Sequence, residues 1–383
     1  KAGLLKIIGD EMDKAYLGLI DSYLIRRDLL IQLKDDFKVV YTPLHGTGTI
    51  LVEEALRRLD VDFVTVPQQR EPDGNFPTVA YPNPEEAAAL EMAIALARKE
   101  KADIVMATDP DADRLGIAVR DNEDFALLTG NQLGSLLCDY VFRTRKEFGR
   151  LPEKPAFVKT IVTTELQRRI AESYGARVYD VLTGFKYIGE KIREFESTGE
   201  EYIFGGEESY GYLVETEVRD KDAVSTAVLT VEMAAYYRSK GASLLEQMDE
   251  LYKTHGYFQE ALVSKKFEGE EGKLKIEGLM SRLRSKPPAS MAGQKVVEIK
   301  DYADGSIRIG DEVRRDAIKL PRSNVLQFIL PNAVFSVRPS GTEPKIKFYV
   351  SCWKDPGTNL GDDKKEVSAL IKRIEEEITT MTG

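Results

Sequence analysis

The chain has 383 residues, long enough for two or three domains, and its 42% hydrophobic and 31% charged composition is that of a globular protein. A net charge of −10 excludes a general nucleic-acid partner, which would need a basic face. No apolar run approaches a membrane span, and Cys138 and Cys352 alone make no disulfide framework, so no membrane partner and a reducing, cytoplasmic compartment are expected.

Apolar positions Leu5, Ile8, Met12, Tyr16, Leu19, Ile20, Tyr23 and Leu24 recur three or four apart, which predicts one amphipathic helix over 4–33 that needs a surface to pack on. Lys38-Val39-Val40-Tyr41 reads as a strand, followed by the loop Thr42-Pro43-Leu44-His45-Gly46-Thr47-Gly48 and a helix to about Leu59. A strand over 61–66, a Pro- and Gly-rich loop over 68–84, a helix over 85–99 and a strand over 104–107 complete a βαβαβ unit. Ligands of such sheets gather at the carboxyl ends of the strands. His45 lies in one such loop, as a candidate polar group or as a simple loop residue.

The next strand end carries Asp109-Pro110-Asp111-Ala112-Asp113-Arg114. Pro110 disfavours helix for the residue before it, so the segment is expected to leave the strand extended, with Asp109, Asp111 and Asp113 on one side. Carboxylates held together repel one another unless a hard cation joins them, and oxygen ligands suit Mg²⁺. The competing reading is a solvated Asp-rich turn. An EF-hand is excluded, because its sixth and twelfth positions would be Arg114 and Arg120 instead of Gly and Glu. Arg114 beside the triad suits an anionic ligand such as phosphate.

A second unit of the same kind follows, with strands over 156–159, 177–181 and 202–204 and helices over 163–174, 187–195 and 222–240. Lys186 follows Gly184-Phe185 at a strand-to-helix turn, where an ammonium can reach a phosphate or exchange a proton. Gly206-Glu207-Glu208-Ser209-Tyr210-Gly211 offers carboxylate and hydroxyl groups suited to sugar hydroxyls, or simply a solvated loop. After about Gly256 the pattern changes to a helix over 271–284, strands over 296–299, 325–330, 334–337 and 346–352 with a Pro331-Asn332 hairpin turn, and a helix over 364–380. Between the last two strands lies Arg338-Pro339-Ser340-Gly341-Thr342-Glu343-Pro344-Lys345, a phosphate cradle or an ordinary polar hairpin loop. The expected fold is therefore α/β, with two successive similar βαβαβ domains (34–127 and 128–256) after a segment 1–33. A C-terminal α+β domain with an antiparallel sheet (257–383) completes it.

These three loops, in this order and at these separations, resemble the α-D-phosphohexomutase superfamily, in its phosphoglucomutase branch, over essentially the whole chain. The Glu-Glu-Ser version of the sugar loop and the segment 42–48 carry the likeness to that branch. The resemblance implies that a phosphoserine and a sugar monophosphate exchange a phosphoryl group through a bisphosphate, glucose 1,6-bisphosphate in the leading case. It implies Mg²⁺ on Asp109, Asp111 and Asp113, and Glu207 and Ser209 on the sugar hydroxyls. Arg338, Ser340, Gly341 and Thr342 would hold the phosphate that is not reacting, and Arg114, Lys159 and Lys186 would line the reacting site, with Lys186 the proton carrier. The family's Thr-Ala-Ser-His-Asn-Pro type serine loop is absent from these residues, and 1–33 resembles the helix linking a first domain to a second. The expectation is a phosphoglucomutase acting on glucose 1-phosphate and glucose 6-phosphate, without its serine domain, inactive alone and with weak or no Mg²⁺. Mannose or ribose phosphate substrates, or a non-catalytic sugar-phosphate-binding paralogue, are the alternatives. A metal-dependent phosphatase fits Pro110 and the aspartate spacing poorly, and oligomeric state is not legible.

Overall fold

Val39, Val40 and Tyr41 are fully buried, as a central parallel strand covered on both faces requires. They form β1 (Lys38–Thr42), flanked in parallel by β2 (Asp62–Thr65) and β3 (Ile104–Thr108). In the computed structural model, which describes residues 3–33, 36–341 and 343–382, this sheet continues antiparallel through β4 (Leu115–Asp121) and β5 (Asp124–Leu128), in the order β2-β1-β3-β4-β5. The sequence reading closed the unit at Ala107 and so missed this hairpin. Its two-residue turn is Asn122-Glu123, with Asn122 at φ 55°, and it lacks the Asn-Gly signature of such turns.

The single amphipathic helix expected over 4–33 is two helices, α1 (Asp10–Tyr23) and α2 (Arg27–Gln32). The break has a cause: the buried Glu232 carboxylate accepts the Arg26 backbone N–H and holds the chain between the helices. Residues 4–8 are not helical, and Leu4, Leu5, Ile7 and Ile8 are exposed. Periodic apolar spacing stabilises a helix only where the face is buried.

Helices α3 (Thr49–Arg58) and α4 (Ala87–Glu100) complete the first βαβαβ pattern. Then α5 (Gly130–Glu147) begins with a capping box formed by Thr129 and Gln132. A second sheet holds β6 (Pro155–Thr160), β7 (Arg177–Val181) and β8 (Glu201–Gly206) in parallel, with β9 (Tyr212–Leu213) antiparallel at its edge, in the order β7-β6-β8-β9. Between these strands run α6 (Glu165–Ser173) and α7 (Lys186–Thr198). The following helix, α8 (Ala223–Ser239), is capped by Asp222 and buried nearly all round, so it serves as core and shows no amphipathic stripe. The chain divides into two compact units, residues 1–163 with 167–248 and residues 164–166 with 249–383, and the division falls inside α9 (Leu244–His255).

The C-terminal unit carries a seven-stranded sheet. Its strands are β10 (Tyr257–Lys266), β13 (Glu298–Asp301), β14 (Ser306–Ile309), β15 (Glu312–Arg314), β16 (Leu326–Leu330), β17 (Ala333–Pro339) and β18 (Lys345–Lys354), with a small separate ribbon of β11 (Ser290–Met291) and β12 (Gln294–Lys295) between β10 and β13. The order is β10-β18-β17-β16-β13-β14-β15, antiparallel throughout. Leu330 pairs with Ala333, so Pro331-Asn332 is the expected two-residue turn. Alternate residues Leu326, Phe328, Leu330, Phe335, Val337, Ile346, Phe348 and Val350 face one core with α10 (Gly269–Ser285) and α11 (Leu360–Thr382). The sequence reading missed β10, which pairs with β18 along its whole length, because half of it is charged or polar.

Candidate functional site

The aspartates converge by a different route from the one expected. The loop after β3 turns: Ala112 adopts φ 58° and its N–H bonds back to the Asp109 carbonyl at 3.0 Å. The turn brings one carboxylate oxygen from each of Asp109, Asp111 and Asp113 within 4.8 Å of one another. Asp109 is buried and its Oδ1 accepts the Asp113 and Arg114 backbone N–H groups at 3.0 Å each, which locks the loop. Burial pushes the Asp109 carboxyl up to about 7; the backbone N–H groups oppose this and the Asp113 and Asp111 charges add to it.

The turn is gripped from three sides. The Pro110 carbonyl accepts from the Thr47 N–H at 2.8 Å and the Thr47 hydroxyl at 3.0 Å. A Cβ at Gly46 would lie 2.3 Å from the Pro110 Cα, so only glycine lets the 42–48 loop approach. The Leu115 N–H donates to the Tyr210 carbonyl at 3.0 Å, and the Ala223 N–H to the Ala112 carbonyl at 3.2 Å. The aspartate loop and the Glu207–Gly211 loop are therefore one construction. His45 is buried and spent on structure, its Nε2 2.9 Å from the Thr78 hydroxyl.

Arg114 lies 3.3 Å from Glu85, 3.8 Å from Asp109 and 3.7 Å from Asp113. Glu207 receives the Gly184 N–H at 2.8 Å, which ties the sugar loop to the turn that starts α7. Lys186 is exposed at that helix start, its ammonium 4.9 Å from the Tyr187 ring centroid. Ser209 is half-buried in the same loop as Glu207. Lys159 is fully buried at the end of β6, with its ammonium donating to the Thr163 and Thr160 carbonyls at 3.0 and 3.2 Å and paired with Asp180 at 3.1 Å. Its charge is thus satisfied inside the fold. Sequence reasoning did not single out Lys221, whose Nζ is 2.9 Å from Asp113 Oδ2. The signal was its position next to Asp222, the cap of α8, in the strap between the sugar loop and that helix.

The residues fit a cation. Asp113 Oδ1 is buried without a hydrogen bond and has Arg114 Nε 3.7 Å away, beyond hydrogen-bond reach, so a closer cation would still be favourable there. An all-carboxylate donor set suits a hard divalent ion such as Mg²⁺.

In the C-terminal unit, the turn between β17 and β18 is closed by the Ser340 N–H on the Lys345 carbonyl at 2.7 Å, while the Ser340 hydroxyl accepts from the Glu343 N–H at 3.4 Å. Arg338 is half-buried and forms no ion pair among the described residues; Gly341 is exposed, and Thr342 lies outside the described residues.

Residues 21–122 match the family model for phosphoglucomutase/phosphomannomutase alpha/beta/alpha domain II, and residues 129–255 match domain III. The chain belongs to the phosphoglucomutase/phosphomannomutase family. Among its relatives, a phosphoglucomutase of Staphylococcus aureus is 40% identical over 341 residues, covering 88% of this chain and 60% of that protein. The chain thus spans about 60% of the length of that curated relative. In fold it is similar to the phosphoglucomutase parafusin of Paramecium, with a TM-score of 0.68 at 18% identity over 97% of this chain and 63% of that one. It is also similar to an N-acetylphosphoglucosamine mutase of Aspergillus fumigatus solved with glucose 1,6-bisphosphate, with a TM-score of 0.50 at 14% identity over 96% and 66%. The two matched α/β/α domains carry the aspartate loop and the Glu207–Gly211 loop respectively.

Proposed function

We propose that the chain is the metal-, sugar- and phosphate-binding part of a cytoplasmic phosphoglucomutase, an isomerase that interconverts glucose 1-phosphate and glucose 6-phosphate. Its domains are 34–127, 128–256 and 257–383 after a linker at 1–33, and the phosphoserine is supplied from outside these residues. The observation that carries this reading is the aspartate triad, with one carboxylate oxygen of each aspartate brought within 4.8 Å of the others, locked to the Glu207–Gly211 loop by the Tyr210 carbonyl.

Asp109, Asp111 and Asp113 would hold Mg²⁺, which when bound neutralises phosphoryl charge during in-line transfer. Arg114 stands ready to share its guanidinium with a phosphoryl oxygen, since its contacts to Asp109 and Asp113 are loose at 3.8 and 3.7 Å. Glu207, fixed through one oxygen by Gly184, offers the other to a sugar hydroxyl beside Ser209. Lys186, exposed at the start of α7, is the proton carrier for the hydroxyl that accepts or releases phosphate. Arg338, Ser340, Gly341 and Thr342 hold a phosphate group that is not reacting; the ligand of the Aspergillus relative carries two phosphates.

A coupled assay tests this, with the 383-residue chain beside a longer version that includes a serine loop, both with Mg²⁺ and glucose 1,6-bisphosphate. The expected result is turnover by the longer protein only, with the shorter chain binding the bisphosphate in calorimetry. Turnover by the shorter chain would place a nucleophile within it and overturn the division of labour. Mannose and ribose phosphates in the same assay decide substrate preference.

A further inference from the structure

A cavity of 380 Å³ lies at the amino ends of β1 and β3, among residues from 37 to 246. Its floor is apolar, since Phe37, Ile104, Val119, Ala234 and Leu244 are all buried. Ile104 begins β3 and Asp109 follows its end, so about 16 Å of strand separates this cavity from the aspartate loop. Two arginines stand at the wall, and both are anchored to one pair of neighbouring residues. Arg120 donates from Nε to the Ala102 carbonyl at 2.9 Å and from Nη2 to the same oxygen, while Arg238 Nη1 pairs with the Asp103 carboxylate. Anchors on consecutive residues, whose Cα atoms are about 3.8 Å apart, bring the two guanidinium groups to one side of the cavity. The nearby carboxylates are already engaged. Asp103 Oδ2 accepts the Lys38 N–H at 2.8 Å. Glu246, exposed to water, turns back on its own helix and accepts the Ser243 N–H at 2.7 Å and hydroxyl at 3.0 Å. Arg120 forms no ion pair among the described residues, and its Nη1 makes no hydrogen bond among them.

We infer that this cavity is a second ligand site, which takes a small organic anion. Its oxyanion head, carboxylate or phosphate, meets Arg120 and Arg238, and its apolar body, about one ring in size, lies on the buried floor. A guanidinium whose plane is fixed by a backbone carbonyl is a preorganised donor, and its parallel N–H groups match carboxylate and phosphate oxygens. The apolar floor supplies the rest of the binding, as in most small-molecule sites, and 380 Å³ is near the small end of their range of about 300–1,000 Å³. The site shares no residue with the aspartate loop, the Glu207–Gly211 loop or the Arg338 loop, so it stands apart from the mutase reading.

The test titrates benzoate and, separately, phenyl phosphate to millimolar concentration into the 383-residue chain labelled at its Ile, Leu and Val methyl groups. NMR reads the Ile104, Val119 and Leu244 methyls, which report this cavity whatever else the acids bind. Saturable shifts at those methyls are expected from at least one acid, and the tighter of the two identifies the head group. Benzyl alcohol, a neutral counterpart, should bind about tenfold or more weakly, the size of a lost hydrogen bond between charged groups. Arg120→Met and Arg238→Met should each weaken the tighter acid by a similar factor. Ala234→Leu fills the cavity without removing a charge, and should abolish the shifts while the remaining methyl spectrum stays that of the folded chain. No shift at the cavity methyls with either acid would overturn the inference. Equal binding of benzyl alcohol, or binding unchanged in both arginine variants, would overturn the anion and leave an apolar cleft. Weakening confined to Arg120→Met, and accompanied there by a lowered unfolding midpoint, would overturn it in favour of a structural role for that side chain.

Discussion

Glu53 shows how a charge is kept inside this fold. It is only 3% exposed and accepts from Thr65 at 2.9 Å, from Arg70 at 2.7 and 2.9 Å, and from Arg57 at 2.5 Å. Burial pushes its carboxyl up, but the Arg70 and Thr65 hydrogen bonds and the Arg70 and Arg57 charges outweigh burial and hold it below the ordinary value. A depressed folded-state value contributes stability above the unfolded carboxyl's titration, and that contribution is lost as pH falls through the folded one. Glu53→Gln is therefore expected to cost about 1–3 kcal/mol at pH 7, and the gap to wild type should close below about pH 4 in urea titrations. Arg338 is the opposite case, a half-buried cation without an ion pair among the described residues. Arg338→Met should leave the urea midpoint almost unchanged and weaken glucose 1,6-bisphosphate binding about tenfold or more by calorimetry, the size of a hydrogen bond to a charged group.

Helix α8 depends on its cap because its first turns are buried and no solvent is there to satisfy stray N–H groups. Asp222 Oδ1 accepts the Val224 and Ser225 N–H groups at 3.0 and 3.2 Å and also receives Tyr16 of α1. Asp222→Ala should lower stability by about 1–2 kcal/mol in denaturant unfolding, and the N-terminal helix should become more susceptible to proteolysis. In the C-terminal sheet, Phe335 is fully buried between Phe328 and Phe348, with ring centroids 5.7 and 5.8 Å away. Phe335→Ala should cost about 3–5 kcal/mol, because three strands lose a common partner and the cavity cannot collapse around a sheet. Strands of that kind, such as β16 to β18, are legible from period-two apolar residues. Others, such as β10 and β4 with β5, are not: their place depends on which neighbour supplies the hydrogen bonds, and no local pattern carries that information.

The two units have separate buried clusters, one around Phe328, Phe335 and Phe348 and others around β1 and β6. Calorimetric unfolding of the whole chain is accordingly expected to depart from a two-state transition, with a calorimetric enthalpy larger than the van't Hoff value. Coincident single transitions by calorimetry, fluorescence and circular dichroism would count against independent units. The groups proposed for binding and catalysis lie in short stretches. Asp109 to Arg114, Glu207 to Gly211 and Arg338 to Lys345 each put several functional groups within a few residues at a strand end, and proximity along the chain guarantees proximity in space. The break between α1 and α2 and the enclosure of Lys159 came from tertiary packing. So did the left-handed turn at Ala112 and the union of Lys221 with Asp113. In each of these a backbone or side-chain group meets a partner far away in sequence, and periodicity and turn chemistry are blind to such partners. Local patterns state which groups are available; only the packed fold selects which of them face one another.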